Sequence, residues 1–203
     1  MTIAPAKSDT TLRSVCVYCG SSPGADPIYM QAAAALGAAM GREGVKLVYG
    51  GGSNGLMGAV ARATLDAGGQ VLGIIPEFLK AKERMLADAQ ELIVTPDMHA
   101  RKRLMFERAD AFVALPGGVG TLEELIEQLT WAQLGQHRKP IVIANLNDFW
   151  SPLVKLLDHM GEAGFIHSSN RIQYIVADRI EDILPKLRAA SSGEVRQPLR
   201  PEL

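Results

Sequence analysis

The chain has 203 residues, 47% of them hydrophobic, which is enough to bury one well-formed core without requiring a second. Its formal net charge of -1 leaves no basic field to hold nucleic acid, and an anionic polymer is excluded as the expected partner. The stretch from Met1 to Thr11 lacks the apolar core of a signal peptide, and Gly or Pro breaks the later apolar runs short of a bilayer span; a cytoplasmic protein with no membrane partner is expected.

In chain order, residues 1–12 read as a flexible leader, and residues 13–190 as a single domain of alternating strands and helices. Ser14 to Tyr18 is a strand, followed by helix Ile28 to Arg42; Lys46 to Tyr49 is a strand, followed by helix Leu56 to Ala67. Strands Val71 to Ile75 and Leu92 to Val94 come next, then helix Met98 to Arg108, strand Ala111 to Leu115 and helix Leu122 to Leu134. Strand Ile141 to Leu146, helix Trp150 to Glu162, strand Tyr174 to Val176 and helix Ile180 to Ala189 complete the pattern. Residues 191–203 are polar, proline-containing and without periodicity, as in a flexible tail or a strap across a partner. The alternation predicts an α/β fold: a Rossmann-like, doubly wound, mainly parallel sheet of about seven strands with helices on both faces. Ligands of such sheets bind beyond the strand C-termini, which directs attention to the residues just after each strand.

The only two cysteines, Cys16 and Cys19, have a C-x-x-C spacing that invites a redox or zinc reading. Alternation along a strand sends residues three apart to opposite faces, and no second Cys or His cluster completes a tetrahedral site. Buried, inert thiols with no metal are the expectation.

Three strand ends are rich in glycine and small polar residues: Cys19-Gly20-Ser21-Ser22, Gly50-Gly51-Gly52-Ser53-Asn54-Gly55 and Pro116-Gly117-Gly118-Val119-Gly120-Thr121. Glycine lets backbone N–H groups approach an anion, and a following helix N-terminus adds partial positive charge, so the arrangement suits a phosphate. The second loop also matches the dinucleotide pattern G-x-G-x-x-G through Gly50, Gly52 and Gly55, with Glu77 placed after the next strand as a ribose-binding acid would be. That fingerprint normally sits on the first strand of its unit, whereas a full strand and helix precede it here. A dehydrogenase therefore ranks below a mononucleotide enzyme.

Thr121 and Glu124 form a T-x-x-E pattern at a helix start, and from spacing alone a structural capping box is the stronger reading. Neighbouring Glu123 would point about a quarter-turn away. Asp97 is placed to cap the helix that carries Met98, His99, Arg101 and Lys102 in its first turns. Basic residues there oppose the helix dipole, so Arg101 and Lys102 imply an anionic ligand or an acidic neighbour, against the alternative of a solvated basic face. His99 by itself reads as a surface or core histidine.

Pro116-Gly117-Gly118-Val119-Gly120-Thr121-Leu122-Glu123-Glu124 resembles the P-G-G-x-G-T-x-x-E signature of the LONELY GUY family of cytokinin-activating phosphoribohydrolases, relatives of which were long labelled lysine decarboxylases. The resemblance extends through Val15–Ser22, Tyr49–Gly52, Gly55–Gly58, Ile75–Glu77 and Met98–Lys102 in the same order. It implies release of a free base and ribose 5-phosphate from AMP or an N6-substituted adenosine 5′-monophosphate by a homodimer or higher homo-oligomer, with no metal, nicotinamide or other cofactor. A decarboxylase would commonly need a pyridoxal phosphate lysine, and no lysine stands out beside the glycine loops.

Carried over by motif, the resemblance makes Glu124 and Arg101 the catalytic pair and assigns Gly117, Gly118, Gly120 and Thr121 to the phosphate. Gly20, Ser21, Gly52, Glu77, Met98 and Lys102 complete the expected substrate pocket. The alternative is a nucleotide-binding or carrier protein on the same fold that breaks no bond.

Overall fold

The computed structural model describes residues 12–80, 91–166 and 172–192. Its elements run β1 (Ser14–Tyr18), α1 (Pro27–Arg42), β2 (Lys46–Tyr49), α2 (Gly55–Asp66), β3 (Val71–Pro76) and α3 (Glu77–Lys80). After these come β4 (Glu91–Thr95), α4 (Met98–Glu107), β5 (Ala111–Ala114), α5 (Val119–Gln133), β6 (Ile141–Ala144), α6 (Ser151–Glu162), β7 (Ile175–Ala177) and α7 (Ile183–Ser191). The seven strands form one sheet in the order β4-β3-β2-β1-β5-β6-β7, and every pairing is parallel. The doubly wound α/β expectation holds. Residues 1–11 and 193–203, which make up most of the stretches expected to be flexible, lie outside the described residues, whereas Leu12 is buried in the core.

Alternation along β1 divides the core in two. Val15, Val17 and Cys19 face a layer containing Leu36 and Met40 of α1, Leu56 and Val60 of α2, and Leu184 and Leu187 of α7. Cys16 and Tyr18 face the opposite layer, with Met105 of α4, Leu125 and Leu129 of α5, and Leu157 of α6. The two thiols therefore lie on opposite sides of the sheet, both free and buried, and burial raises the pKa of each. Helices α1 and α2 pack closely because Gly37 presents no side chain to the Val60 carbonyl, where a Cβ would collide.

Several element ends differ from the periodicity. The β6 strand stops at Ala144, and Leu146–Asp148 form a 3-10 turn in which the buried Asn145 accepts a hydrogen bond from the Trp150 N–H at 2.8 Å. The last helix is split into a 3-10 turn, Ile180–Asp182, and α7, and the short α3 was not anticipated. Apolar spacing does not mark these ends, which depend on local side-chain and backbone bonds.

The chain winds outward from β1 to β4 and returns to place β5 on the other side of β1. The carboxyl ends of β1 and β5 thus form the topological switch point, where the crossovers diverge and leave a crevice. The two strand ends are tied together there: the Leu115 N–H donates to the Tyr18 carbonyl at 2.9 Å, and the Gly20 N–H donates to the Pro116 carbonyl at 3.1 Å. Two of the three glycine-containing strand ends meet at this junction.

Candidate active site

The second glycine loop packs beneath the first. Gly55 has a φ of +53°, and a Cβ there would collide with the Ser21 backbone. The Gly20 carbonyl accepts from the N–H groups of Leu56 and Met57, at 3.0 and 3.3 Å, and so stops the N-terminus of α2. Two first-turn amides that a dinucleotide pyrophosphate would use are therefore already engaged, which weakens the dehydrogenase reading. Gly52 is buried within this loop.

The N-terminus of α5 is built differently. The cap position is Gly118, which carries no side chain to satisfy the first-turn amides, while Asp26 and Asp97 cap α1 and α4 through Ile28 N–H (2.9 Å) and Ala100 N–H (2.8 Å). Gly118 and Gly120 are exposed, and a Cβ on either would meet no atom within 4 Å. At Gly117 a Cβ would run into Thr121 Oγ1 and come within 2.8 Å of the Gly20 amide nitrogen, so this glycine permits the close approach of β1, β5 and α5. The result is an open helix terminus at the switch point, fit for an anion.

Because α5 begins at Val119, Thr121 is its third residue and Glu124 its sixth. The capping-box reading of T-x-x-E is overturned: Glu124 stands a turn too far along the helix to serve the cap. Its carboxylate instead points inward, with a side chain only 10% exposed, and Oε1 lies 3.3 Å from Nη2 of Arg101. Arg101, at 11% exposure, is anchored from the other side, since its Nε donates to the Ile74 carbonyl of β3 at 3.1 Å. Met98 Sδ lies 3.7 Å from Arg101 Nη1. Gly50 makes the guanidinium position available, because a Cβ there would collide with Arg101 Nη2. Sequence reasoning did not single out Gly50 for this role; a glycine following a buried strand is a signal of close approach, but its partner comes from a distant helix.

Burial pushes the Glu124 carboxyl up to about 7, against the downward pull of Arg101; Glu123 and Glu127 raise it further, and Lys102 lowers it. A carboxyl that releases its proton near neutrality is matched to general base work. Lys102 makes a separate bridge to Glu123 at 2.5 Å and Glu127 at 3.0 Å. The basic first turns of α4 thus meet acidic neighbours, one of the two outcomes expected of their placement.

The remaining residues divide by location. Ser21 is exposed beside Gly20 at the switch point. Glu77 faces solvent at the first position of α3 and pairs with Lys80 at 3.3 Å, while His99 is exposed. Among the described residues, no group of three or more His, Cys, Asp or Glu side chains is arranged to hold a metal ion, and no helix is long and apolar enough to cross a membrane.

An open helix terminus beside a buried carboxylate–guanidinium pair, set at the switch point of a doubly wound sheet, defines a class of protein that handles small phosphorylated ligands. The family model described as "Possible lysine decarboxylase" matches residues 57–187. A cytokinin riboside 5′-monophosphate phosphoribohydrolase of Rhodococcoides fascians is 46% identical over 189 residues, covering 93% of this chain and 96% of that protein. The cytokinin riboside 5′-monophosphate phosphoribohydrolase LOG3 of Arabidopsis thaliana is 44% identical over 175 residues, covering 86% of this chain and 81% of its own length. The chain belongs to this family, the LONELY GUY phosphoribohydrolases. Among solved structures, a Moco carrier protein from Chlamydomonas reinhardtii shares the fold, with a TM-score of 0.68 and 20% identity over 90% of this chain and 99% of that one.

Proposed function

We propose that this protein hydrolyses the N-glycosidic bond of AMP or an N6-substituted adenosine 5′-monophosphate, releasing the free base and ribose 5-phosphate. The observation that carries the reading is the buried Arg101–Glu124 pair, 3.3 Å apart, whose carboxylate is carried on the helix whose N-terminus opens at Gly118. The 5′-phosphate is bound by the Gly117–Thr121 segment, where first-turn amides and the helix dipole favour a dianion. Gly20, Ser21, Gly52, Met98 and Glu77 border the nucleoside.

With the phosphate held, the ribose anomeric carbon is directed toward Glu124. As the C1′–N9 bond breaks, its electron pair leaves with the base and the ribose acquires oxocarbenium character, which the Glu124 carboxylate stabilises. Water adds its oxygen to C1′ and gives a proton to Glu124; the departing base takes a proton from solvent. Arg101 is unsuited to act as a base. Its planar fork orients Glu124 with one nitrogen and leaves donors for the ligand.

The working unit is a homodimer. Leu134 and Phe165 are 67% and 84% exposed, a large apolar expense for a lone subunit, and a second copy is the simplest cover. Light scattering should show a dimer throughout the working concentration range; a monomer would contradict this. Cytoplasmic residence belongs to the same reading, since free, buried thiols suit a reducing compartment.

The decisive experiment is chromatographic detection of adenine released from AMP by the wild-type protein and by Glu124→Ala. Release by the former and not the latter is expected. AMP binding without turnover by the wild-type protein, extended to N6-substituted monophosphates, would leave the carrier alternative standing.

A further inference from the structure

Arg101 and Lys102 are consecutive on α4, and Glu123 and Glu124 are consecutive on α5. Two bridges therefore run side by side between the same helices. The inner one joins Arg101 to Glu124; the outer one joins Lys102 to Glu123 and to Glu127, one turn further along α5. Residues four apart on a helix stand about 6 Å apart along its axis, so a single ammonium held by both carboxylates fixes α4 in height as well as in distance from α5. Lys102 is only 11% exposed, and its attachment to Glu123 and Glu127 outweighs the cost of desolvation, raising its pKa. An exposed surface pair would contribute little to geometry, but this one is two-pronged, with a covered ammonium and a largely covered Glu127 beside a half-exposed Glu123.

We propose that Lys102 is a positioning residue for the reaction: by gripping Glu123 and Glu127 it locks α4 to α5 in the register that keeps Arg101 on Glu124. The inference rests on the phosphoribohydrolase reading but assigns Lys102 a partner within the protein rather than on the substrate. Arg101 is already tied to β3 through the Ile74 carbonyl, so the position of α5 is the degree of freedom left to control. Lys102 also offsets the charge of two carboxylates that raise the pKa of Glu124. The charged and titratable groups around that carboxyl are Arg101 and Lys102 from α4, Glu123 and Glu127 from α5, Cys16 and Tyr18 from β1, and Cys19 just after that strand.

The test compares Lys102→Met, Lys102→Arg and the triple change Lys102→Met with Glu123→Gln and Glu127→Gln, each checked for fold by circular dichroism. With AMP as substrate, Lys102→Met should lower kcat about tenfold or more through misplacement of the pair. It should also move the acid limb of kcat/KM upward by about one pH unit, as two uncompensated carboxylates now oppose ionisation of Glu124. Lys102→Arg should retain most of both, and the triple change should bring the limb back down without fully restoring kcat. A raised KM with unchanged kcat and an unmoved limb would overturn the proposal in favour of direct substrate contact. If no variant, including wild type, releases base, the functional reading fails on its own, and Glu124 can be titrated directly by carboxyl carbon NMR. An upward displacement of that titration in Lys102→Met would still support the clamp, and an unchanged titration would sink it.

Discussion

Arg101 and Glu124 meet 3.3 Å apart in a region where both side chains are about nine-tenths covered, one held from the sheet by the Ile74 carbonyl and the other carried on α5. A buried pair of this kind is weak support for stability, because desolvation offsets much of the attraction. The proposed chemistry gives the pair a use: the carboxylate has a pKa near neutrality, and the guanidinium lies against it.

Glu124→Gln preserves shape and removes the charge. The variant should fold and bind AMP while base release falls by about 10²- to 10⁴-fold, the range associated with a positioned acid or base. Single-turnover assays beside a binding titration check this, and near-normal turnover in a folded variant would refute the role of Glu124.

The pH behaviour follows from the same carboxyl. The proposed mechanism uses the ionised form, so kcat/KM should rise with pH through about 7. Stability should run the opposite way. The folded-state pKa of about 7 lies above the ordinary value of 4.5, so between these values the folded state binds more protons than the unfolded state. This contribution is fully present below about 4.5 and is lost as pH rises through about 7, by up to ~3 kcal/mol. Urea unfolding of wild type and Glu124→Gln across this window should show the falling component only in wild type; parallel curves would contradict it.

Gly50→Ala offers a route to Arg101 without touching it. The added Cβ would collide with Nη2 and approach Met57 Sδ within 3.1 Å, so the guanidinium must shift off Glu124 at some cost in stability. Base release should fall toward the level of Arg101→Ala, in which both KM and kcat suffer, with a loss of stability no larger than the roughly 3 to 5 kcal/mol of a broken buried pair and the fold retained by circular dichroism. Unimpaired kinetics in Gly50→Ala would show that the guanidinium position is not critical.

The phosphate assignment predicts that adenosine is a poor substrate. Charge-assisted hydrogen bonds contribute roughly 1.5 to 3 kcal/mol each, so losing two of them should lower kcat/KM by at least about 10²-fold, with part of the loss in kcat. Gly118→Ala and Gly120→Ala add a methyl group into open space and should leave the fold intact while raising KM for AMP. Comparable kcat/KM for adenosine and AMP would remove the phosphate from the Gly117–Thr121 segment.

Local sequence determined the strand and helix alternation, the burial of Cys16 and Cys19 on opposite faces, the cap at Asp97 and the three glycine-rich or small-residue strand ends, because each depends on periodicity or on bonds within a few residues. The family signature also marked Glu124 and Arg101. Tertiary structure decided the rest. Spacing could not distinguish a capping glutamate from an inward-facing one, since that depends on α5 starting at Val119 after Gly118. Nor could it reveal that Gly20 stops α2, that Gly50 makes room for Arg101, or that Lys102 is taken by Glu123 and Glu127. Those relationships join residues distant in the chain, and they exist only because the sheet order sets β1 between β2 and β5 and brings α4 beside α5. Hydrophobic periodicity specifies which face of an element is buried, but the neighbour it is buried against is selected by packing of the whole sheet.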